Sequence, residues 1–290
     1  MRVIVFAFLF SCTLVAGAGD WPQGLGPHRT GVALEEVTVK AWPNSGPEKQ
    51  WSHELGMGYA GPVVSGDHVV IFHRIESAER LEALHRETGK VVWSHDFKAF
   101  YKGGYNADQG PRSTPVIAGG NVYVYGAAGD LHAVKLDTGK VVWSRALNDD
   151  YQAPDGYFGA GSSPIVLGER LLVNVGADNA GIVAVDTKTG KTLWKATDEK
   201  ASYSSPSTIK LNNKIQALFI TRMKALAIDP ASGEVFFEIP FGKQGPTVNG
   251  ATPLAFGNKV FLSASYGIGA ELLQISNDGK NITRQWEGDD

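Results

Sequence analysis

The sequence predicts an all-β chain of four-stranded antiparallel blades, the β-propeller class, and three observations carry that expectation. The first is a returning frame. Ala133 to Trp143 (AVKLDTGKVVW) recurs as Ala83 to Trp93 (ALHRETGKVVW), Ala184 to Trp194 (AVDTKTGKTLW) and Ala227 to Phe237 (AIDPASGEVFF). The second is a set of strand openers in which a small or polar residue precedes Pro: Gly61-Pro62, Thr114-Pro115, Ser163-Pro164, Ser205-Pro206 and Thr252-Pro253. The third is composition: 35 Gly, 14 Pro and 43% hydrophobic residues in 290 supply many turns and a large core.

From the N-terminus, residues 1–18 read as an export signal. Arg2 is the positive start, Val3 to Val15 the apolar run, and Ala16-Gly17-Ala18 the cleavage site. The run is shorter than the roughly 20 residues of a membrane span. Export to the periplasm or the exterior is therefore expected. Cys12 is the only cysteine, so the mature chain has no disulfide or thiolate metal site; the competing reading makes Cys12 a lipidated residue. Residues 19–47 form a Gly/Pro-rich leader, expected to wrap over a surface as irregular chain. Trp51 then closes a stretch like the last strand of a repeat, with no preceding strands of its own.

The propeller domain is expected over 48–290, with blades at about 59–97, 111–147, 161–197, 203–241 and 250–287. In each, a Pro-opened strand, a tight turn such as Gly119-Gly120 and a second strand precede the recurring frame. That frame is a hairpin, with Gly139 where the turn needs a positive φ. The aromatics closing each fourth strand, Trp51, Trp93, Trp143, Trp194, Phe237 and Trp286, are expected to dock between neighbouring units at a period of roughly 42 to 51 residues. Gly279 and Trp286 are further apart than the other Gly/Trp pairs, which predicts a longer turn in the last blade. About five blades plus an orphan outer strand make an incomplete ring, the arc expected of a fragment or truncated product with exposed edges.

A formal charge of -3 and a pI near 6.2 lack the basic footprint of a nucleic-acid binder. First-to-second and third-to-fourth turns read as tight and the other two sets as longer, both on one face. That face is the expected binding face for a protein, small-molecule or glycan ligand. Its richest loop runs from Phe100 to Arg112, with Tyr105, Asp108, Gln109 and Arg112 as candidate contacts and Tyr157, Tyr203 and Asn249 at comparable places later. The plainer reading pairs Arg112 with Asp108 or with loop carbonyls and lets the tyrosines cap the core. The seven His show no metal spacing, and no nucleophile elbow or phosphate loop is present.

The frame Ala-x-Asp-x-x-Thr-Gly-Lys-x-x-Trp resembles the tryptophan-docking motif of PQQ-like (pyrroloquinoline-quinone-type) β-propeller repeats, and Trp21-Pro22-Gln23 with Gly26-Pro27 resembles the start of exported bacterial members. The resemblance covers about Asp20 to the C-terminus. It implies one of two functions: a non-catalytic binding or scaffold propeller, or a dehydrogenase of alcohols or sugars using PQQ and Ca²⁺. No catalytic or metal-ligand set for the second can be assigned from the residues.

Overall fold

A computed structural model describes residues 19–33 and 41–288. The export-signal expectation, Cys12 included, lies outside the described residues. Five separate four-stranded antiparallel sheets follow one another along the chain. The first holds β1 (Val63–Ser65), β2 (His68–Ile75), β3 (Ala78–His85) and β4 (Val91–Lys98). The second holds β5 (Val116–Ala118), β6 (Asn121–Tyr125), β7 (Asp130–Lys135) and β8 (Val141–Ala146), followed by the one-turn helix α1 (Leu147–Tyr151). The third holds β9 (Ile165–Leu167), β10 (Arg170–Ala177), β11 (Ala180–Asp186) and β12 (Thr192–Ala196). The fourth holds β13 (Ser207–Leu211), β14 (Lys214–Ile220), β15 (Lys224–Ile228) and β16 (Val235–Pro240). The fifth holds β17 (Leu254–Phe256), β18 (Lys259–Ala264), β19 (Gly269–Ile275) and β20 (Ile282–Gly288). This is the expected blade architecture, and no strand of the fifth sheet pairs with one of the first, which leaves the arc open.

Strand composition follows strand place. The second and third strands of a blade are covered on both faces by neighbouring sheets, so β10 (RLLVNVGA) and β11 (AGIVAVD) are nearly continuous buried runs. Outer strands have one wet face and alternate, as in Val141-Val142-Trp143-Ser144 of β8. The core is divided between sheets. Phe72 and Leu81 meet Val122 and Val124 between the first and second, Tyr123 and Leu131 meet Leu171 and Val173 between the second and third, Ile182 meets Phe219 between the third and fourth, and Leu218 and Phe237 meet Leu262 and Leu273 between the fourth and fifth.

The repeated indole fills a repeated slot. Trp93 donates Nε1–H to Leu136 O at 2.6 Å, Trp143 to Thr187 O at 3.0 Å and Trp194 to Pro230 O at 3.1 Å. Each ring lies over the turn glycine of the next blade: a Cβ on Gly139, Gly190 or Gly233 would stand 2.7 to 2.8 Å from the indole of Trp93, Trp143 or Trp194. Trp51 makes the same contacts with the first sheet, over Gly89 and to Arg86 O at 2.8 Å. Its backbone, however, is irregular rather than a strand.

Three expectations need correction. The last turn is not longer: Ser276 N–H reaches Asn281 O over the same span that joins His85 to Lys90. The extra spacing lies in β20: the bulge that immediately precedes the aromatic in β4, β8, β12 and β16 falls two residues later here, so Trp286 stands opposite Leu272 and Arg284 stands three residues after the turn, the place held by Trp93 in β4. Trp286 is thus outside the docking slot and 51% exposed, stacked near Phe261 and Gly288. Second-to-third connections are also short, Glu76-Ser77 and Asp178-Asn179 being two-residue turns, so only the connections between blades are long.

The described part of the leader is irregular chain lying against the blades. Trp21 exchanges both backbone hydrogen bonds with Val64 of β1, and Pro22 O accepts from Ile117 N of β5. Arg29 reaches the openings of the third and fourth blades, donating to Ser163 O at 3.4 Å, Pro206 O at 2.9 Å and Pro164 O. A segment of the leader therefore lies along the innermost strands of four sheets. Arg29 is 2% exposed, and its burial pulls its pKa down to about 9.

Candidate functional site: the long-loop face

Blade-to-blade connections and second-to-third turns share one face, and the aromatic and polar side chains of this face come from them. The loop from Phe100 to Arg112 is held by its own polar groups. Asp108 accepts from Gly110 N at 2.8 Å and from Gly58 N at 2.9 Å, and Gln109 donates to Lys102 O at 2.9 Å. Arg112 lies 3.7 Å from Asp108 and donates to Asp108 O at 2.5 Å and to Gly110 O. Its guanidinium sits 5.6 Å from the Tyr59 ring and 5.4 Å from the Tyr101 ring. Asp108 and Arg112 thus pair with each other and with loop groups, the arrangement of the plainer reading, and Gln109 bonds within the same loop.

Asn249 is also structural. It is fully buried and donates to Thr221 O at 2.9 Å and Phe241 O at 3.2 Å, while its backbone oxygen accepts from Tyr203 N at 2.9 Å. The tyrosines behave differently. Tyr105 is 75% exposed and meets Tyr157 edge-on at 5.0 Å, and Phe158 links Tyr105 at 6.4 Å to Tyr203 at 5.6 Å. Tyr203 OH accepts from Phe158 N at 2.7 Å, and burial pushes its pKa up. Three of the seven candidates thus join one aromatic ridge, to which Phe158 belongs.

The ridge borders a cleft of about 830 Å³ lined by residues of the second, third and fourth blades, Tyr157 and Tyr203 among them. Asn174 of β10 and the turn residues Arg222 and Met223 contribute to it. Asn174 gave no signal in the sequence: in its strand it reads as one polar residue in an apolar run. Arg222 is pinned by Lys243 O at 3.1 Å and Gly245 O at 2.7 Å.

Two buried carboxyl groups also escaped the sequence reading. Glu79 of β3 is 3% exposed and accepts from Ala127 N at 2.9 Å, tying the first blade to the second. Its burial raises its pKa to about 7, with Asp130 adding to the rise and Arg74 and Arg112 opposing it. Glu82 lies between His53 at 2.8 Å and His73 at 3.3 Å. His73 Nδ1 accepts from Gly56 N at 2.8 Å, so its Nε2 carries the proton that faces Glu82. This set fastens the Trp51 segment to β3, a role that repeat position alone did not reveal.

A family model described as outer membrane protein assembly factor BamB matches residues 77–289. The chain belongs to that PQQ-repeat family. Among solved structures it is similar to BamB from Moraxella catarrhalis, at 17% identity and a TM-score of 0.54, covering 80% of this chain and 63% of that one. It is also similar to quinohemoprotein alcohol dehydrogenase from Comamonas testosteroni, at 15% identity and TM-score 0.55, covering 79% and 43%. A europium-containing methanol dehydrogenase gives 13% identity and TM-score 0.59, covering 80% and 52%. The chain thus spans between two fifths and two thirds of these structures, and at such identities the likeness is one of fold. Among curated protein sequences nothing matches.

The dehydrogenase relatives raise the question of a Ca²⁺–quinone site. A hard cation needs several convergent oxygens. Among the described residues no group of three or more His, Cys, Asp or Glu side chains could hold a metal ion. Nor, among the described residues, is any helix long and apolar enough to cross a membrane.

Proposed function

We propose that this chain is a non-catalytic, exported binding or scaffold propeller of the cell envelope that engages a protein partner through its long-loop face. The observation that carries the reading is the ridge of Tyr105, Tyr157 and Phe158, whose leading ring is 75% exposed whereas Tyr101, Tyr123 and Tyr125 are buried. Exposed tyrosines offer large, rigid contact area with a polar tip, the residue type that dominates interfaces. Membership in a family described as an outer membrane protein assembly factor supports a partner in that machinery.

Site-specific photocrosslinking in an envelope-bearing host tests it. A crosslinker at position 105 should capture a component of outer-membrane protein assembly, and one at Lys140, in a tight turn between third and fourth strands, should not. Equal capture at both positions, or none at 105, refutes the reading. Dye reduction by the full chain with added PQQ, Ca²⁺ and an alcohol or sugar would replace it with the dehydrogenase.

A further inference from the structure

The cleft lined by the second, third and fourth blades contains a group the fold does not explain. Asn174 is 2% exposed, and neither its Nδ2 nor its Oδ1 has a hydrogen-bond partner. It nonetheless lines the cleft. An amide buried without partners is destabilising, and such groups are few in native folds. Leu172, two residues earlier on the same strand face, packs with Ala217, Phe219 and Leu226, so an apolar residue would suit this wall. Nearby polar groups are engaged: Ser202 Oγ with Ile220 O, Tyr125 OH with Asn148 Oδ1 at 3.2 Å, and Tyr203 OH with Phe158 N. The Asn174 amide is the one set into the wall with its donors and acceptor unused.

We infer that the cleft is a binding site for a neutral saccharide. A primary amide presents donors beside an acceptor, and a vicinal diol presents the complementary pair because each hydroxyl both donates and accepts. Tyr157 and Tyr203 supply aromatic surface for the apolar C–H face of a sugar ring, and Asp155 at the lip supplies a carboxylate for a further hydroxyl. Charges along the lining are of both signs, Asp155, Asp198 and Glu199 against Lys200 and Arg222, which selects for no strongly charged ligand. The volume of about 830 Å³ lies within the roughly 300–1,000 Å³ of small-ligand sites. A peptide adding as a strand is disfavoured, since β10 is paired on one side to β9 and on the other to β11.

This inference rests on the long-loop face being the binding face. Titration calorimetry of the full chain with maltotriose, cellotriose and chitotriose, and with tetraalanine for comparison, tests it. At least one trisaccharide should bind with Kd on the order of 1 mM or tighter. Asn174→Leu should weaken that binding by about tenfold or more while the thermal midpoint stays level or rises, because an orphaned amide is replaced by an apolar side chain. Tyr157→Ala, at an exposed position, should weaken binding and leave the midpoint unchanged. Binding of tetraalanine alone, no binding of any trisaccharide, or trisaccharide binding indifferent to both substitutions overturns the inference. Crosslinking at position 105 is read separately, so a failed titration with that capture intact sinks the saccharide site and spares the scaffold reading.

Discussion

Replacing Gly190 by Ala tests the docking slot between the second and third blades. Gly190 has a φ of 69°, and a Cβ there would lie 2.8 Å from two atoms of the Trp143 indole. A left-handed conformation costs an L-residue about 1 kcal/mol. Pushing the indole away loses its bond to Thr187 O, worth about 1 kcal/mol, and about as much again in ring contacts. The substitution should cost about 3 kcal/mol. In a Trp143→Ala background the ring is already gone, and only the backbone cost of about 1 kcal/mol remains. The two changes should therefore couple by about 2 kcal/mol, against the few tenths expected of independent sites. Urea unfolding followed by far-ultraviolet circular dichroism on the wild type, both single variants and the double variant measures this. A Gly190→Ala cost that is the same in both backgrounds would mean that the indole does not sit over the glycine, and the slot argument would fall.

Glu79, raised by burial to about 7, holds its proton in the folded chain after an unfolded carboxyl, near 4.5, has released it. Its contribution is therefore fully present below about pH 4.5 and is lost as pH rises through about 7, a loss of about 3 kcal/mol. Glu79→Gln, which keeps an acceptor for Ala127 N, should flatten that limb in unfolding measured between pH 5 and 8; an unchanged slope would assign the effect elsewhere. Arg29→Met would strip the donor from the carbonyls of Pro206 and Ser163 and should release the leader. Limited proteolysis should then cut within residues 20–31 at least about tenfold faster with the blades intact, as expected for loss of about 1.4 kcal/mol or more of local stability; unchanged cleavage would show that the Trp21–Val64 pairing alone holds it.

Blade number, strand order and the place of each docking indole were legible in the sequence because repetition averages out local ambiguity: four copies of one frame say more than any single hairpin. Legibility stopped where the chain left the repeat. Trp286 resembled its predecessors in type and approximate spacing, but the bulge common to the fourth strands falls two residues later in β20, and the position of a bulge leaves no compositional mark. Arg29 looked like one more polar residue in a Gly/Pro-rich leader, since its carbonyl partners lie more than 130 positions away. For the site, residue type was informative and role was not. Asp108, Arg112 and Asn249 were found on the long-loop face but have hydrogen bonds to backbone groups of that face. Asn174 was invisible because its signal is an absence of partners, a property only of the folded chain.

The docking contacts all run one way. Trp51 caps the turn of the first blade, Trp93 that of the second, Trp143 that of the third and Trp194 that of the fourth, each held by an element that precedes its target in the chain. In a solenoid-like array of this kind stability is a sum of unit terms and nearest-neighbour interfaces, so damage to one slot should stay local. The leader breaks that rule. By pairing with β1, bonding β5 and placing Arg29 against the openings of the third and fourth blades, it joins units that are not sequence neighbours. An open arc with no closing strand pair has few other ways to resist splaying. Arg29 bridges the openings of the third and fourth blades, both of which, with the second, line the cleft that holds Asn174.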